Sequence, residues 1–176
     1  MGSSTDKEII LVLGGARSGK SSWALRYAEE TYKSYLFLAT AEIRDDEMAE
    51  RVRLHKASRG PEWRLVEEPL DIAQVLQEES SRADVVLIDC MTIWLSNILL
   101  QKGREAVGLY QDRLMEALTR KRGSVILVSN EVGTGIVPEH ALGREFRDLA
   151  GMLNQKLAAM ADKVVMTVAG IPLHIK

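Results

Sequence analysis

Gly14-Gly15-Ala16-Arg17-Ser18-Gly19-Lys20-Ser21 decides how this chain is read. It matches the phosphate-binding pattern G-x-x-x-x-G-K-[ST], in which successive backbone N–H groups and a helix N-terminus surround a triphosphate. The flanks suit that pattern. Ile9-Ile10-Leu11-Val12-Leu13 reads as a buried strand leading in, and Ser22-Trp23-Ala24-Leu25-Arg26-Tyr27-Ala28-Glu29 as a helix leading out. Lys20 is expected to reach the β- and γ-phosphates and the Ser21 hydroxyl to coordinate Mg²⁺. A glycine-rich strand–helix turn carrying a chance lysine is the bland alternative, and both flanks weigh against it.

Outward from the loop, apolar runs alternate with longer amphipathic stretches, which predicts an α/β domain with a mostly parallel sheet flanked by helices. Strands are expected over 34–39, 63–66, 84–89 and 124–129, and helices over 45–58 and 70–81. Helical sequence continues from about 92 to 122, with a break near Gly103. Residues 130–138 carry too many Gly and Pro for either element. Leu142, Phe146, Leu149, Leu153, Leu157 and Met160 then recur at steps of three and four, the buried face of a long helix. Residues 163–168 and 173–175 read as two strands joined by a tight turn at Ala169-Gly170-Ile171-Pro172, antiparallel at a sheet edge.

The chain has 176 residues, which suits a single domain spanning 1–176, with a polar tail over 1–7. Its net charge of −2 offers neither a nucleic-acid stripe nor a polybasic membrane patch. The run Thr119-Arg120-Lys121-Arg122 precedes Gly123 and reads as cations complementing a helix C-terminus. One cysteine, Cys90, excludes an internal disulfide and a Cys-rich zinc site. A polar first segment and the absence of long apolar runs predict a cytoplasmic protein without a signal or membrane span.

A phosphate loop commonly works with an acid at the end of a neighbouring strand, which holds the Mg²⁺ shell. Asp89 is so placed; its alternative role is to cap the next helix. Asn130 and Glu131 should share that edge, where open parallel sheets bind ligands. Cys90 reads as a small buried residue rather than a reactive thiol. Trp23, Trp63 and Trp94 read as core packing ahead of stacking surfaces. On the predicted helix over 45–58, Arg51, His55 and Arg59 share a stripe, where cations would keep the imidazole neutral and nucleophilic. By pattern alone, His55 is more simply a surface histidine. His140 and His174 lie in no metal-ligand spacing.

Several of these segments together resemble a known family. GGARSGKS at 14–21, DDEMAERVRLHK at 45–56, Trp63-Arg64, NEVGTGIVPE at 130–139, FRDLAGMLNQKLAAMAD at 146–162 and the ending at 171–176 are similar to the bifunctional adenosylcobinamide kinase / adenosylcobinamide-phosphate guanylyltransferases of cobalamin biosynthesis. The similarity runs from about Ile9 to the C-terminus. It implies a RecA-like P-loop NTPase domain assembled as a homotrimer, with the active site near subunit interfaces. It also implies phosphorylation of adenosylcobinamide with ATP or GTP, then transfer of GMP from GTP to adenosylcobinamide-phosphate. His55 matches the position of the histidine that carries GMP. Family nucleotide contacts fall on Gly14, Gly15, Ala16, Arg17, Ser18, Gly19, Lys20 and Ser21, on Ala39, Thr40 and Ala41, on Lys56, Ala57, Ser58 and Arg59, and on Glu67 and Asp89. The motif and the resemblance together imply Lys20 and His55 as the catalytic residues, with Ser21 and Asp89 expected as the metal residues. Family members commonly read Arg-Pro-x-x-Trp where this chain has Arg59-Gly60-Pro61-Glu62-Trp63, so the helix is expected to end slightly later here.

Two rival readings are a monofunctional P-loop small-molecule kinase and a nucleotide-switched RecA-like binding module. The first leaves His55 idle and the second consumes no corrinoid; neither explains the histidine helix and the NEVG loop together.

Overall fold

The computed structural model describes residues 7–42 and 60–176. Seven strands form one sheet: β1 (Ile9–Gly14), β2 (Tyr35–Ala39), β3 (Trp63–Glu67), β4 (Val85–Asp89), β5 (Ser124–Asn130), β6 (Lys163–Val168) and β7 (Ile171–His174). Their spatial order is β3-β2-β4-β5-β1-β6-β7. Every adjacent pair is parallel except β6–β7, which is antiparallel at the edge. The helices are α1 (Lys20–Thr31), α2 (Ile72–Glu79), α3 (Met91–Lys102), α4 (Ala106–Thr119) and α5 (Ala141–Met160).

The central strands are apolar on successive residues because helices cover both faces of the sheet. Leu11, Val86, Ile88, Val125 and Leu127 meet Trp94, Leu95, Ile98, Leu114, Leu153 and Leu157 from α3, α4 and α5 on one face. Ile10, Val12, Leu87, Ile126 and Val165 meet Trp23, Ala24 and Ala28 of α1 on the other. The three tryptophans are all core residues. The indole N–H of Trp94 donates to Leu70 O at 2.7 Å, and that of Trp63 to Glu29 Oε1 at 2.9 Å.

Three expectations need correction. The closing turn is only Ala169-Gly170, with φ of 50° and 83°, so Ile171 and Pro172 already belong to β7. Two residues with positive φ make the tightest hairpin, and the proline is tolerated because β7 is an edge strand. Leu142 is 51% exposed although it continues the apolar stripe of α5. At 20 residues α5 is about 30 Å long, so its first turn outruns strands of four to seven residues. Third, the strand ending in Asp89 does not neighbour β1: β5 lies between them. The predicted histidine helix over 45–58 lies outside the described residues.

Candidate functional site

The parallel strands align their C-terminal ends on one edge. Ala39 pairs with both Glu67 and Asp89, and Gly14 pairs with Asn130. Glu67, Ala39, Asp89, Asn130 and Gly14 therefore close five consecutive strands there, with Thr40 and Ala41 just beyond β2. His55, Lys56, Ala57, Ser58 and Arg59 lie outside the described residues. A cavity of about 330 Å³, lined by residues including Lys7, Ser34, Asp84 and Ser124, opens at the opposite edge. It shares no residue with the loop.

The loop leaves β1 at Gly14, whose φ of 152° a side chain could not adopt here. A Cβ on Gly14 would stand 2.5 Å from Ser18 Oγ and 2.6 Å from Thr167 O. Gly15, Ala16 and Arg17 are exposed, whereas Ser18 is buried. Arg17 and Gly19 have φ of 55° and 95°, turning the chain into α1. No side chain caps α1 and its first turn holds no acid, so the positive end of the helix is left to the loop. The arrangement suits an anionic phosphate group.

Lys20 is only 8% exposed, and its ammonium donates to Gly15 O at 2.6 Å. Burial pushes its pKa below the usual lysine value; negative charge on Cys90 and Asp89 opposes that shift. Burial, followed by the charge of Asp89, also raises the Cys90 thiol to about 11. Lys20 opens α1 after the loop and Asp89 closes β4 on the same edge of the sheet, with β5 between the two strands.

Asp89 does not cap α3. That cap is Cys90, whose sulfur accepts from Ile93 N at 3.5 Å and lies 3.1 Å from Thr92 Oγ1. Thr40 is fully buried. Its hydroxyl donates to Cys90 O at 2.9 Å and accepts from Cys90 N at 2.8 Å, while Asn97 Nδ2 donates to Thr40 O at 2.8 Å. The Thr40 hydroxyl therefore holds the residue after Asp89. This network had no sequence signal beyond a polar residue after an apolar strand.

Asn154 is a further residue that periodicity missed. It accepts from Ser129 Oγ at 2.7 Å and donates to Asn130 O at 3.1 Å, fixing the start of the Asn130–Glu131 segment. Glu131 N in turn donates to Gly14 O at 3.0 Å. Among the described residues no group of three His, Cys, Asp or Glu gathers as a metal cluster. Ser21 and Asp89 still offer a hydroxyl and a carboxylate on one edge, the hard oxygen donors that Mg²⁺ takes together with water and phosphate oxygens.

Comparisons with known proteins agree with this geometry. Residues 10–175 match the family described as cobinamide kinase / cobinamide phosphate guanyltransferase. The chain is 43% identical over 166 residues to the bifunctional adenosylcobalamin biosynthesis protein CobP of Pseudomonas aeruginosa, covering 94% of this chain and 96% of that one. It is 39% identical over 181 residues to the bifunctional adenosylcobalamin biosynthesis protein CobU of Escherichia coli, covering 96% and 99%. Solved structures similar in fold include an ATPase of a bacterial type III secretion system (TM-score 0.58, 13% identity). That alignment covers 91% of this chain but only about half, 51%, of that ATPase. The RadB recombinase is similar at TM-score 0.54 and 14% identity, covering 91% and 74%. The fold is that of RecA-like P-loop ATPases.

Proposed function

Since the chain belongs to the cobinamide kinase / cobinamide phosphate guanyltransferase family, we propose that it performs both reactions. It phosphorylates the hydroxyl of adenosylcobinamide with ATP or GTP, then moves GMP from GTP onto that phosphate by way of His55. The observation that carries this reading is the loop itself: an uncapped helix N-terminus beside a buried lysine.

Both reactions move phosphorus, so catalysis rests on positioning and charge neutralisation. Loop N–H groups and the Lys20 ammonium bind the outer phosphates. To do so Lys20 leaves Gly15 O, an exchange of a carbonyl for a more strongly held phosphate oxygen. Ser21 and Asp89 would hold Mg²⁺, which would neutralise phosphate charge. In the first reaction the corrinoid hydroxyl attacks the γ-phosphorus, the nucleoside diphosphate leaves and the hydroxyl proton is released to water. In the second the neutral His55 imidazole attacks the α-phosphorus and pyrophosphate leaves; the cobinamide phosphate then takes GMP from the nitrogen. A grip on the outer phosphates leaves the α-phosphorus to a separate nucleophile, which the loop cannot supply. Ala39, Ala41, Glu67 and the segment Lys56-Ala57-Ser58-Arg59 complete the nucleotide site in this reading. The working unit is a homotrimer in the cytoplasm. Among the described residues no helix is long and apolar enough to cross a membrane.

The test is incubation with GTP labelled at the α-phosphorus. An acid-labile, alkali-stable label on the protein, lost in His55→Ala, is the expected result. Cobinamide phosphorylation without any protein label under turnover would reduce the protein to a kinase.

A further inference from the structure

The β6–β7 hairpin touches the phosphate loop at four points, although neither the motif nor the proposed chemistry uses it. Thr167 Oγ1 lies 2.8 Å from Ser18 Oγ and donates to Leu13 O at 3.3 Å. One hydroxyl proton cannot serve both contacts, so Ser18 donates to Thr167. Gly170 N donates to Ser18 O at 2.9 Å. The two motif glycines present bare Cα atoms to the same hairpin. A Cβ on Gly14 would meet Thr167 O and Oγ1 at 2.6 and 2.7 Å, and one on Gly19 would stand 3.1 Å from Gly170 Cα. Thr167 is 1% exposed and Ser18 7% exposed, so water does not compete for these bonds.

We infer that Thr167 is a positioning residue for phosphate binding: through Ser18 it holds the loop in the shape that keeps its N–H groups convergent. Ser18 sits between the glycine hinges at 14 and 19, immediately before the second. Both its side chain and its carbonyl are tied to the hairpin, and its own N–H donates to Gly15 O at 3.3 Å, so the residue that turns the loop is held on every side. Without the tie the loop samples other shapes, and nucleotide affinity falls by the fraction of time it is misshapen. The Ser18 hydroxyl is thereby a brace and not a phosphate ligand. This inference rests on the nucleotide-binding part of the proposed function and not on its corrinoid chemistry.

The test uses the full chain, Mg²⁺ and a fluorescent non-hydrolysable GTP analogue, with no corrinoid. Thr167→Ala and Thr167→Ser both lose the γ-methyl and differ only in the hydroxyl, so a merely structural role lowers both melting temperatures without separating their affinities. Thr167→Ala is expected to raise the Kd about fivefold to tenfold, the value of one buried neutral hydrogen bond. Thr167→Ser should stay within about twofold of the parent, and the Ser18→Ala/Thr167→Ala double variant should bind no more weakly than Ser18→Ala alone. Equal affinities for Thr167→Ala and Thr167→Ser, or effects that multiply in the double variant, overturn the inference. Where Thr167→Ala does not fold, Ser18→Ala decides, and an unchanged Kd for it also overturns the inference. A parent chain that fails to bind the analogue removes the proposed function and this inference with it; a parent that binds while the variants match it removes this inference alone.

Discussion

At the carboxyl edge of the sheet the phosphate loop is held from outside, by Glu131 at one flank and the β6–β7 hairpin at the other. Two strands away, the β2–β4 junction is held from within, where Thr40, Cys90 and Asn97 spend polar groups on one another in the dry interior. The difference follows from what each must present. The loop needs its own N–H groups directed at a ligand, so its ties fall on Gly14 O and on Ser18. The junction needs only to fix the backbone next to one carboxylate, so its polar groups can be consumed internally. A tie on the loop is therefore expected to show in binding as well as in stability, and a tie in the junction chiefly in stability.

Thr40→Val tests that contrast most severely. Valine keeps the volume but leaves both the N–H and the carbonyl of Cys90 without the hydroxyl that serves them. The carbonyl keeps its bond from Trp94 N at 3.1 Å, so the N–H is the group left unpaired, and a loss of about 2 kcal/mol is expected. For a chain of this length that lowers Tm by roughly 6 °C, read by thermal or urea denaturation. A loss below about 1 kcal/mol would mean that the junction is not held from within.

Lys20→Met addresses the other half. Removing the ammonium should weaken nucleotide binding about 100-fold, or about 2.7 kcal/mol, measured by analogue titration. Melting temperature should hold or rise, because a buried charge has gone. The pH dependence has a definite sign. Burial lowers the Lys20 pKa from 10.5, so the native state gives up this proton before the unfolded chain does. Stability contributed at this position therefore climbs with pH just below 10.5, and Lys20→Met should flatten that climb. Retained affinity with lost stability would invert the comparison.

The loop, its strand and its helix were legible because their signals are local: an apolar run, a glycine pattern and a lysine within fourteen residues. Asp89 was legible for the same reason, as an acid closing Val85-Val86-Leu87-Ile88. What was not legible is the bracing. Thr167 sits in Lys163-Val164-Val165-Met166-Thr167-Val168, where threonine reads as an ordinary strand former, and its partner Ser18 is 149 residues away. Thr40 and Asn97 meet across 57 residues for the same reason. The short turn was missed because Ala169 adopts a positive φ that alanine does not advertise. The strand order was misjudged because periodicity reveals strands and not their neighbours; only pairing shows β5 between β4 and β1.

Cys90 offers the gentlest probe, since it reports the junction without altering it. Its thiol is 6% exposed and raised by burial to about 11, so at pH 8 it is a neutral, covered sulfhydryl. A thiol reagent should leave the native chain almost untouched and label one cysteine per chain in denaturant. Because the folded pKa stands above the ordinary 9.0, the stability linked to this group is complete below 9 and falls away as pH climbs through about 11. Native labelling should accelerate in the same window. Thr40→Val should speed labelling at pH 8 by loosening the junction, whereas Thr167→Ala and Lys20→Met should not. Equal acceleration by all three would show that the edge opens as one unit, and the two modes of bracing would then be a single cooperative structure.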